Sequence, residues 1–365
     1  MITPEAKKTL TKQGYRVVGN HSVVKVCGWT GSMIRGDGGC YKLKFYGIQS
    51  HQCMQTSPSL SCANRCSFCW RGYKAPVSKD WKWEVDNPEM IINKSLKAHK
   101  NLLTGFGDNK NPNHTAHEQS KTVKHVALSL TGEPIIYPKI NEMINNYHER
   151  GISTFLVTNA QYPDEIKKLT PVTQLYLSID APTKKLLKEI DNPLFEDYWE
   201  RMIKSLENLK KKKERTAIRL TAIKDLNMCE PEKYADLIKI GNPDFIEVKG
   251  YMFIGASRER LEKSNMPLHE DVVEFSKELD KYLDDYEIAS EHIRSRVVLF
   301  AKKKFKKEGE WHTWIDFDKF HELFKSGTEI TTENYLKKTP TGPGLSGRGT
   351  KDRVDAKFRH KIQKY

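Results

Sequence analysis

The sequence predicts an α/β fold, a partial, TIM-like (β/α)6 barrel with an N-terminal extension and a C-terminal α+β piece. Helix signals alternate with short apolar strand candidates, which indicates parallel strands joined by right-handed crossovers. We count six such strands, two fewer than in a closed eightfold barrel. A barrel of this kind would be open on one side and leave room for a large substrate. The strand candidates are 51–57, 123–130, 153–158, 174–179, 217–223 and 244–248.

Helices are predicted between these strands and after them. The last of them is long and amphipathic, with apolar residues on one face. A compact end piece follows, with strands at 296–300 and 311–315 and a helix at 316–324. The helix candidates are 88–103, 138–149, 163–168, 198–213, 231–240 and 267–286.

The chain before the barrel differs in composition. Residues 1–22 are expected to form a basic helix followed by a turn at Gly19 and Asn20. Residues 23–48 contain six glycines and end in the alternating run 41–46. So much glycine disfavours a helix, and this segment is predicted to form loops with one or two short strands.

Basic residues exceed acidic ones, with 61 Lys and Arg against 47 Asp and Glu and a formal net charge of +14. This excess predicts a polyanionic partner, although a lysine-rich proteome would produce the same value. The N-terminus lacks the apolar region of a signal peptide, and no apolar run approaches the length of a membrane span. We therefore expect a soluble, cytoplasmic protein without a membrane partner.

Six of the seven cysteines lie in one short part of the chain, from Cys27 to Cys69. Such clustering argues against a disulfide framework and for metal chemistry in a reducing cytosol. Cys62, Cys66 and Cys69 form a C-x3-C-x2-C loop. Three thiolates can hold three corners of a cubic iron–sulfur cluster and leave one iron open to a second molecule. The alternative is a structural zinc site, but zinc needs four closed ligands and the nearest histidine, His51, is poorly spaced.

A second triplet precedes this loop. Cys27, Cys40 and Cys53 are separated by twelve residues each time. Buried free cysteines are ordinary core residues. Regular spacing in a glycine-rich stretch beside the first loop nevertheless favours a second cluster with one open iron. Cys229 stands apart and is interpreted as structural.

Polar residues follow successive strand candidates. In parallel α/β folds, function gathers at the carboxyl ends of the strands. Glu133, in a Thr-Gly-Glu-Pro segment, follows the second strand and could accept hydrogen bonds from a ligand ammonium. Asn159 follows the third strand, and Ser178 and Asp180 lie at the end of the fourth. Each signal alone is typical of an ordinary turn, but together they suit a ribose or an amino-acid moiety.

The cysteine loop, the Gly-Glu segment and the polar strand ends resemble, in that order, the radical S-adenosylmethionine superfamily. The resemblance implies that Cys62, Cys66 and Cys69 bind a [4Fe-4S] cluster whose open iron chelates S-adenosylmethionine. It further implies reductive cleavage to a 5′-deoxyadenosyl radical that takes a hydrogen from the substrate. Glu133 would contact the methionyl ammonium, and the cofactor would be lined by Asn159, Ser178 and Asp180.

Nearly the whole chain resembles a narrower family, the wyosine-base-forming radical enzymes, or 4-demethylwyosine synthases, of archaea. Eukaryotic relatives carry a flavodoxin-like domain for which there is no room before Cys27, so a separate flavodoxin or ferredoxin is expected to supply the electron. The resemblance is carried by the upstream cysteine triplet and by 62–71, 131–134, 137–138, 158–161, 247–250, 264–267 and 290–292.

The resemblance implies that the protein is a carbon–carbon lyase. Its reaction would condense pyruvate with the N1-methylguanosine beside the anticodon of tRNA(Phe), and the product would be 4-demethylwyosine. The second [4Fe-4S] cluster would be held by Cys27, Cys40 and Cys53 and could chelate pyruvate. Lys42 falls at the family's proposed pyruvate lysine, and a lysine can hold a keto acid as a Schiff base. The alternative is a solvated charge on an alternating strand.

A methyl group on a stacked base is reached only when the base is splayed out, and aromatic residues such as Trp70 or Tyr73 could flank it. Basic residues around the opening would hold the anticodon-stem phosphates of a tRNA bound by the monomer. For the run 210–213 the alternative is an ordinary helix end, where lysines complement the helix dipole. The candidates are Arg65, Arg71, Lys74, Lys79, Lys82, Lys210, Lys211, Lys212, Lys213, Arg258, Arg260 and the basic tail.

Four regions are expected on this basis. They are an extension with second-cluster ligands (1–50), the radical barrel (51–292), a wyosine-type α+β extension (293–327) and a flexible basic tail (328–365). The alternatives are another radical enzyme, such as a methylthiotransferase or an activase, and a non-catalytic zinc protein that binds RNA.

Overall fold

The computed structural model describes residues 2–72, 74–106 and 113–340. A ten-stranded mixed sheet runs through it in the order β1-β2-β3-β4-β5-β6-β7-β8-β10-β9. The strands of this sheet and of two small ribbons are β1 Arg16–Val18, β2 Ser22–Lys25, β3 Cys53–Ser57, β4 His125–Leu128, β5 Ser153–Thr158, β6 Gln174–Ser178, β7 Thr216–Ala222, β8 Phe245–Gly250, β9 Tyr286–His292, β10 Val297–Lys302, β11 Lys306–Lys307, β12 Glu310–Trp311, β13 Trp314–Ile315 and β14 Leu336–Lys337.

The partial barrel is confirmed, since β3 to β8 pair in parallel and in chain order. These are the six predicted strands. Antiparallel strands extend the sheet at both ends, β2 beside β3 and β10 beside β8. The helices are α1 Pro4–Lys12, α2 Gly28–Ile34, α3 Tyr41–Tyr46, α4 Pro88–Leu102, α5 His114–Ser120, α6 Ile140–Glu149, α7 Pro163–Lys168, α8 Lys184–Asp191, α9 Tyr198–Leu209, α10 Pro231–Gly241, α11 His269–Asp280 and α12 Phe317–Ser326.

Two apolar cores lie on the two faces of the sheet. One face packs against the crossover helices, with Leu156 and Leu177 among the strand residues that point outward. Phe155 and Tyr176 point to the inner face, where they join α3 and α12. This alternation follows from the two-residue period of a strand. The inner face is therefore closed in part by elements from both ends of the chain.

The glycine-rich segment 23–48 was predicted wrongly. It contains the helices α2 and α3 instead of loops and short strands alone. In α2, Gly31 allows close packing, because a Cβ there would lie 2.7 Å from the ring of Phe106. The helix α3 ends at Gly47, whose φ of +79° suits the left-handed cap of a helix. Tertiary packing outweighs the low helix propensity of glycine here.

The tail was expected to be flexible from residue 328 onward, and this is wrong up to residue 340. A 3-10 turn at Thr332–Tyr335 leads into β14, which pairs with β13. The buried Tyr335 hydroxyl accepts a hydrogen bond from the Arg215 amide (2.9 Å) and donates one to the Thr173 carbonyl (3.0 Å). The basic residues 351–365 lie outside the described part of the chain.

Smaller differences concern helix ends and missed elements. The predicted helix 267–286 is shorter in the structure, where α11 ends at residue 280 and β9 begins at residue 286. The helix from residue 198 ends at residue 209 instead of 213. The helices α5 and α8 were not predicted. Within the described ranges, no helix is long and apolar enough to cross a membrane.

Candidate active site

The loop with Cys62, Cys66 and Cys69 follows β3, at the carboxyl end of the parallel strands. Its backbone is bound to the end of α8, since Arg65 N donates to the Asp191 carbonyl (2.9 Å) and Ser67 N to that of Ile190 (2.7 Å). The loop is thereby fixed from two sides, by the strand before it and by a helix more than a hundred residues later.

Its three thiols face a common region. Cys62 is buried and Cys66 and Cys69 are half-buried, and all are free. Burial raises the pKa of the Cys62 thiol to about 12, although Arg71 opposes the shift. Burial, Asp191 and the two other thiols raise the pKa of Cys66 well above its usual range.

Among the described residues, no three His, Cys, Asp or Glu side chains converge on one metal-ion position. The described part of the chain therefore offers no closed zinc site, which needs four ligands around one ion. A cubic cluster is less restrictive, because each thiolate binds a different iron. Sγ of Cys62 accepts hydrogen bonds from Asn64 N (3.5 Å) and Asn159 Nδ2 (3.4 Å), a type of contact that tunes cluster sulfurs.

The Gly-Glu segment after β4 packs directly on the cysteine loop. Gly132 has a φ of +66°, and a Cβ there would lie 2.1 Å from the Ser59 carbonyl oxygen, so no other residue fits. The next residue, Glu133, donates its backbone N–H to the Ser61 carbonyl (2.7 Å). The carboxylate of Glu133 accepts a hydrogen bond from Asn159 N (2.9 Å).

Burial raises the pKa of Glu133 to about 7, while the Asn159 amide opposes the shift. Glu133 is buried, and a pKa raised in spite of the Asn159 and Ile135 amides favours a cationic ligand. The structure thus brings together Glu133, Asn159 and Cys62, three residues that the sequence placed in one site.

Ser178 is half-buried at the end of β6, and Asp180 is buried beyond it. Asp180 Oδ1 accepts a hydrogen bond from Thr221 N (3.2 Å), and the carbonyl of Asp180 accepts one from Asn227 Nδ2 (2.8 Å). Burial raises the pKa of its carboxyl group. Asp180 therefore ties β6 to β7, in addition to any contact with a ligand.

Asp191 was missed by the sequence analysis. It is the last residue of α8 and is buried. Its Oδ2 accepts a hydrogen bond from Asn64 Nδ2 (3.2 Å). Burial, followed by the charge of Asp180, raises its pKa well above the usual range. Because α8 was not predicted, no sequence signal distinguished this carboxylate from a surface acid.

The upstream cysteines lie near one another. Cys27 and Cys40 immediately precede α2 and α3, and Cys53 begins β3. Burial, followed by the neighbouring thiol of Cys40, raises the pKa of Cys27 and brings that of Cys53 to about 12. The positive charge of Lys42 opposes both of these rises in pKa. The structure therefore gathers the second triplet and Lys42 at one place.

Lys42 lies on a helix, and the alternative of a solvated charge on a strand is wrong. Its Nζ atom is 4.6 Å from the ring centroid of Tyr176 and 5.9 Å from that of Phe155, on the inner face of the barrel. The helix is anchored by Glu247 of β8. This carboxylate accepts hydrogen bonds from the hydroxyls of Tyr41 (3.0 Å) and Tyr46 (2.8 Å).

Arg260 holds the far end of the cysteine loop. Its Nε donates to the Ser67 carbonyl (2.9 Å), Nη1 to that of Arg71 (3.2 Å) and Nη2 to that of Cys69. It was predicted to contact RNA phosphates, but its donors face these carbonyls instead. Arg71 in turn donates to the Leu60 carbonyl (2.8 Å). Both guanidinium groups stabilise the loop from within.

Comparison with known proteins agrees with this architecture. Residues 56–238 match the radical SAM superfamily and residues 240–302 match a region described as wyosine base formation. A Xenopus laevis protein, S-adenosyl-L-methionine-dependent tRNA 4-demethylwyosine synthase TYW1, is 50% identical over 370 residues, which cover 99% of this chain and 50% of that protein.

A solved structure of TYW1 with a lysine-pyruvate adduct is 37% identical, with a TM-score of 0.75, and the match covers 83% of this chain and 97% of that one. The chain belongs to the tRNA 4-demethylwyosine synthase family. The crystal structure of an archaeal TYW1 is 32% identical, with a TM-score of 0.69, and the match covers 85% of this chain and 99% of that one.

The synthase family is thus established, whereas its archaeal branch is not supported. The Xenopus relative is 50% identical to this chain and the archaeal structure 32%. The chain spans about half the length of the curated relatives it matches. Membership in the radical SAM superfamily implies one [4Fe-4S] cluster and S-adenosylmethionine.

The surface around the cysteine loop exposes some of the residues that were predicted to contact RNA. Trp70 is exposed beside the cysteine loop, and so are most of the basic candidates near it. Tyr73 lies outside the described residues. The run 210–213 follows α9 and precedes β7, which places it at the opposite end of the strands. It therefore lies away from the opening. The exposed basic residues near the loop are Arg65, Lys74, Lys79, Lys82 and Arg258.

Proposed function

We propose that this protein condenses N1-methylguanosine of tRNA(Phe) with pyruvate to form the tricyclic base 4-demethylwyosine, as a radical carbon–carbon lyase. The observation that carries the proposal is the position of Lys42, inside the barrel and beside a second cysteine triplet. A generic radical enzyme needs only the first cysteine loop. A lysine and three further thiols inside the same barrel suit a second, keto-acid substrate.

The first cysteine triplet would hold the [4Fe-4S] cluster that binds S-adenosylmethionine. When bound, the two cofactors would supply the radical that removes a hydrogen from the N1-methyl group. The role of Glu133 would be to accept hydrogen bonds from the methionyl ammonium, for which its buried carboxylate is suited. Asn159, Ser178 and Asp180 would line the same cofactor, since they end the next two strands of the barrel.

The second triplet, Cys27, Cys40 and Cys53, would hold another [4Fe-4S] cluster. Support comes from the three thiols lying near one another in a part of the structure that also contains Lys42. The protein's own contribution is to keep these thiols away from bulk water and to place an amine beside them.

Lys42 would bind pyruvate as a Schiff base. Its amine nitrogen attacks the keto carbon, a C–N bond forms and the oxygen leaves as water, so neither an oxidant nor a reductant is needed. A solved relative, 37% identical to this chain, carries a lysine-pyruvate adduct. Loss of the carboxylate carbon of pyruvate would then leave two carbons for the new ring.

The tRNA would approach the open side of the barrel, where Trp70 and the exposed lysines and arginines lie. Aromatic stacking would hold the splayed base, and the basic residues would bind phosphates. We further propose that the protein acts in the cytoplasm as a monomer and receives its electron from a separate flavodoxin or ferredoxin.

The decisive experiment incubates the anaerobically purified protein with S-adenosylmethionine, pyruvate, dithionite and N1-methylated tRNA. Mass spectrometry of the digested tRNA should show the tricyclic base, and none should form without pyruvate. Formation of 5′-deoxyadenosine without a tricyclic product would instead indicate another radical enzyme, such as a methylthiotransferase. If the purified protein is colourless and contains stoichiometric zinc, the proposed enzymatic function is wrong.

A further inference from the structure

The inner face of β8 carries an ammonium group with no role in the site described above. Lys249 lies two positions after Glu247, so both side chains point to the inside of the barrel. In the parallel register Lys249 is opposite Thr221 of β7. Arg219 is opposite Glu247 in the same register. Lys42 lies between Tyr41 and Tyr46, which both bind Glu247, so these cations surround one space on the inner face.

This space contains more positive than negative charge. The cations that act on Lys249 are Arg219, Arg296 and Lys42, whereas Glu247 is the one carboxylate among its principal neighbours. Both carboxylate oxygens of Glu247 already accept hydrogen bonds from tyrosine hydroxyls of α3. In the described part of the chain, the Lys249 ammonium makes a single long contact, 3.5 Å to the Gly250 carbonyl, and no ion pair.

Lys249 is half-buried, and an ammonium that loses part of its hydration without gaining a counterion is unfavourable. Burial, followed by the charge of Arg219, lowers the pKa of Lys249 to about 8 in spite of Glu247. The binding of a small anion would supply the missing partner. The geometry therefore favours a carboxylate ligand that reaches the inner face of β8.

We propose that Lys249 binds the carboxylate of the keto acid whose carbonyl carbon reacts with Lys42. This rests on the proposed function, in which pyruvate is held at Lys42. A charge-assisted hydrogen bond from Lys249 fixes one end of the acid, and the keto carbon at the other end then faces the amine of Lys42. The other carboxylate that could reach this space is the one of S-adenosylmethionine, and the experiment separates the two.

The test compares pyruvate with methyl pyruvate, which has the same keto group and no charged carboxylate. Schiff bases on the reconstituted protein are trapped with labelled ligand and cyanoborohydride, over a range of concentrations. In Lys249→Met, half-saturation for pyruvate should rise about 10- to 100-fold, whereas methyl pyruvate should be unaffected. Lys249→Arg keeps the charge and should retain most of the preference for pyruvate.

Lys239→Met, on the exposed side of α10, is the matched control and should behave as wild type. Should Lys249→Met not fold, as judged by iron content and thermal unfolding, Lys249→Gln tests the same loss of charge. Binding of labelled S-adenosylmethionine by equilibrium dialysis should be the same in wild type and in the variants.

Several results would overturn the inference. One is an unchanged preference for pyruvate in Lys249→Met. Another is label on Lys249 itself in wild-type peptides, which would make it the nucleophile. A third is weaker binding of S-adenosylmethionine with normal pyruvate trapping, which would assign the carboxylate to that cofactor. Wild-type protein that binds S-adenosylmethionine but traps no pyruvate at Lys42 would refute the proposed function instead.

Discussion

The hydroxyl of Tyr46 donates a hydrogen bond of 2.8 Å to Oε1 of Glu247. This contact joins α3, near the start of the chain, to the inner face of β8. Tyr41 binds the other oxygen of the same carboxylate. The position of Lys42, between the two tyrosines in sequence, therefore depends on a carboxylate that follows it by about two hundred residues.

Replacement of Glu247 by glutamine should weaken the attachment of α3 to β8 without creating a cavity in the core. The amide retains one acceptor oxygen and loses the other, so a buried hydroxyl is left without its partner. We expect a loss of about 1–3 kcal/mol in the free energy of unfolding, measured by urea denaturation. Glu322→Gln on the exposed side of α12 is the control. Equal stability of both variants would show that the tyrosines do not depend on Glu247.

Arg260→Lys should weaken the hold on the first cysteine loop. Lysine retains the charge but cannot donate to three separate carbonyls from a planar group. We expect iron of the reconstituted protein to be lost to a chelator about 10-fold faster. The cluster's electron paramagnetic resonance spectrum should also change. Arg258→Lys, two residues away and exposed, should change neither measurement.

The second triplet can be tested by counting iron. Wild-type protein with two clusters should hold about eight irons per chain, and Cys27→Ala about four. Cys229→Ala should keep the wild-type value, because that thiol is exposed and far from both triplets in sequence. If Cys27→Ala still holds about eight irons, the upstream cysteines are core residues, as the sequence left open.

Buried histidines predict a loss of stability in mild acid. Burial lowers the pKa of His99 to about 4 and those of His125 and His148 to about 3. The unfolded chain takes up these protons near pH 6.5 and the folded protein does not, so stability falls as the pH drops below 6.5.

The loss should continue until the pH reaches the folded pKa values. By pH 5 it amounts to at most about 2 kcal/mol for each histidine. Urea denaturation at pH 7 and pH 5 measures it, and substitution of His125 by glutamine should reduce the difference. A flat profile over this range would contradict the assignment of neutral histidines.

Much of the fold could be predicted because the apolar runs of the six parallel strands are short, regular and separated by helix signals. The strand 153–158 and the helix 163–168 agree with the structure to the residue. The segment around Lys42 could not be predicted. In six residues, alternating lysines and apolar residues fit both a strand and a helix turn. The choice is decided by contacts with Glu247 and Trp314, which lie far along the chain.

The site was predicted in part for a similar reason. Cysteines and a Gly-Glu pair have recognisable spacing, so Cys62 and Glu133 could be placed in one site before the fold was known. Asp191 and Lys249 belong to an ordinary helix end and an ordinary strand. Only the folded chain shows that Asp191 meets the cysteine loop and that Lys249 lies on the inner face of β8.

The anchoring of α3 on β8 also constrains the order of events during synthesis. The first cysteine loop finds its partners Glu133 and Asp191 once about half of the chain has left the ribosome, since chains fold progressively from the N-terminus. The second triplet, although it is translated earlier, must wait for Glu247 before Cys40 is locked in place. In nascent chains, Cys40 should therefore remain open to alkylating reagents until β8 has emerged. The two cysteine triplets would then be assembled in the reverse of their order in the sequence.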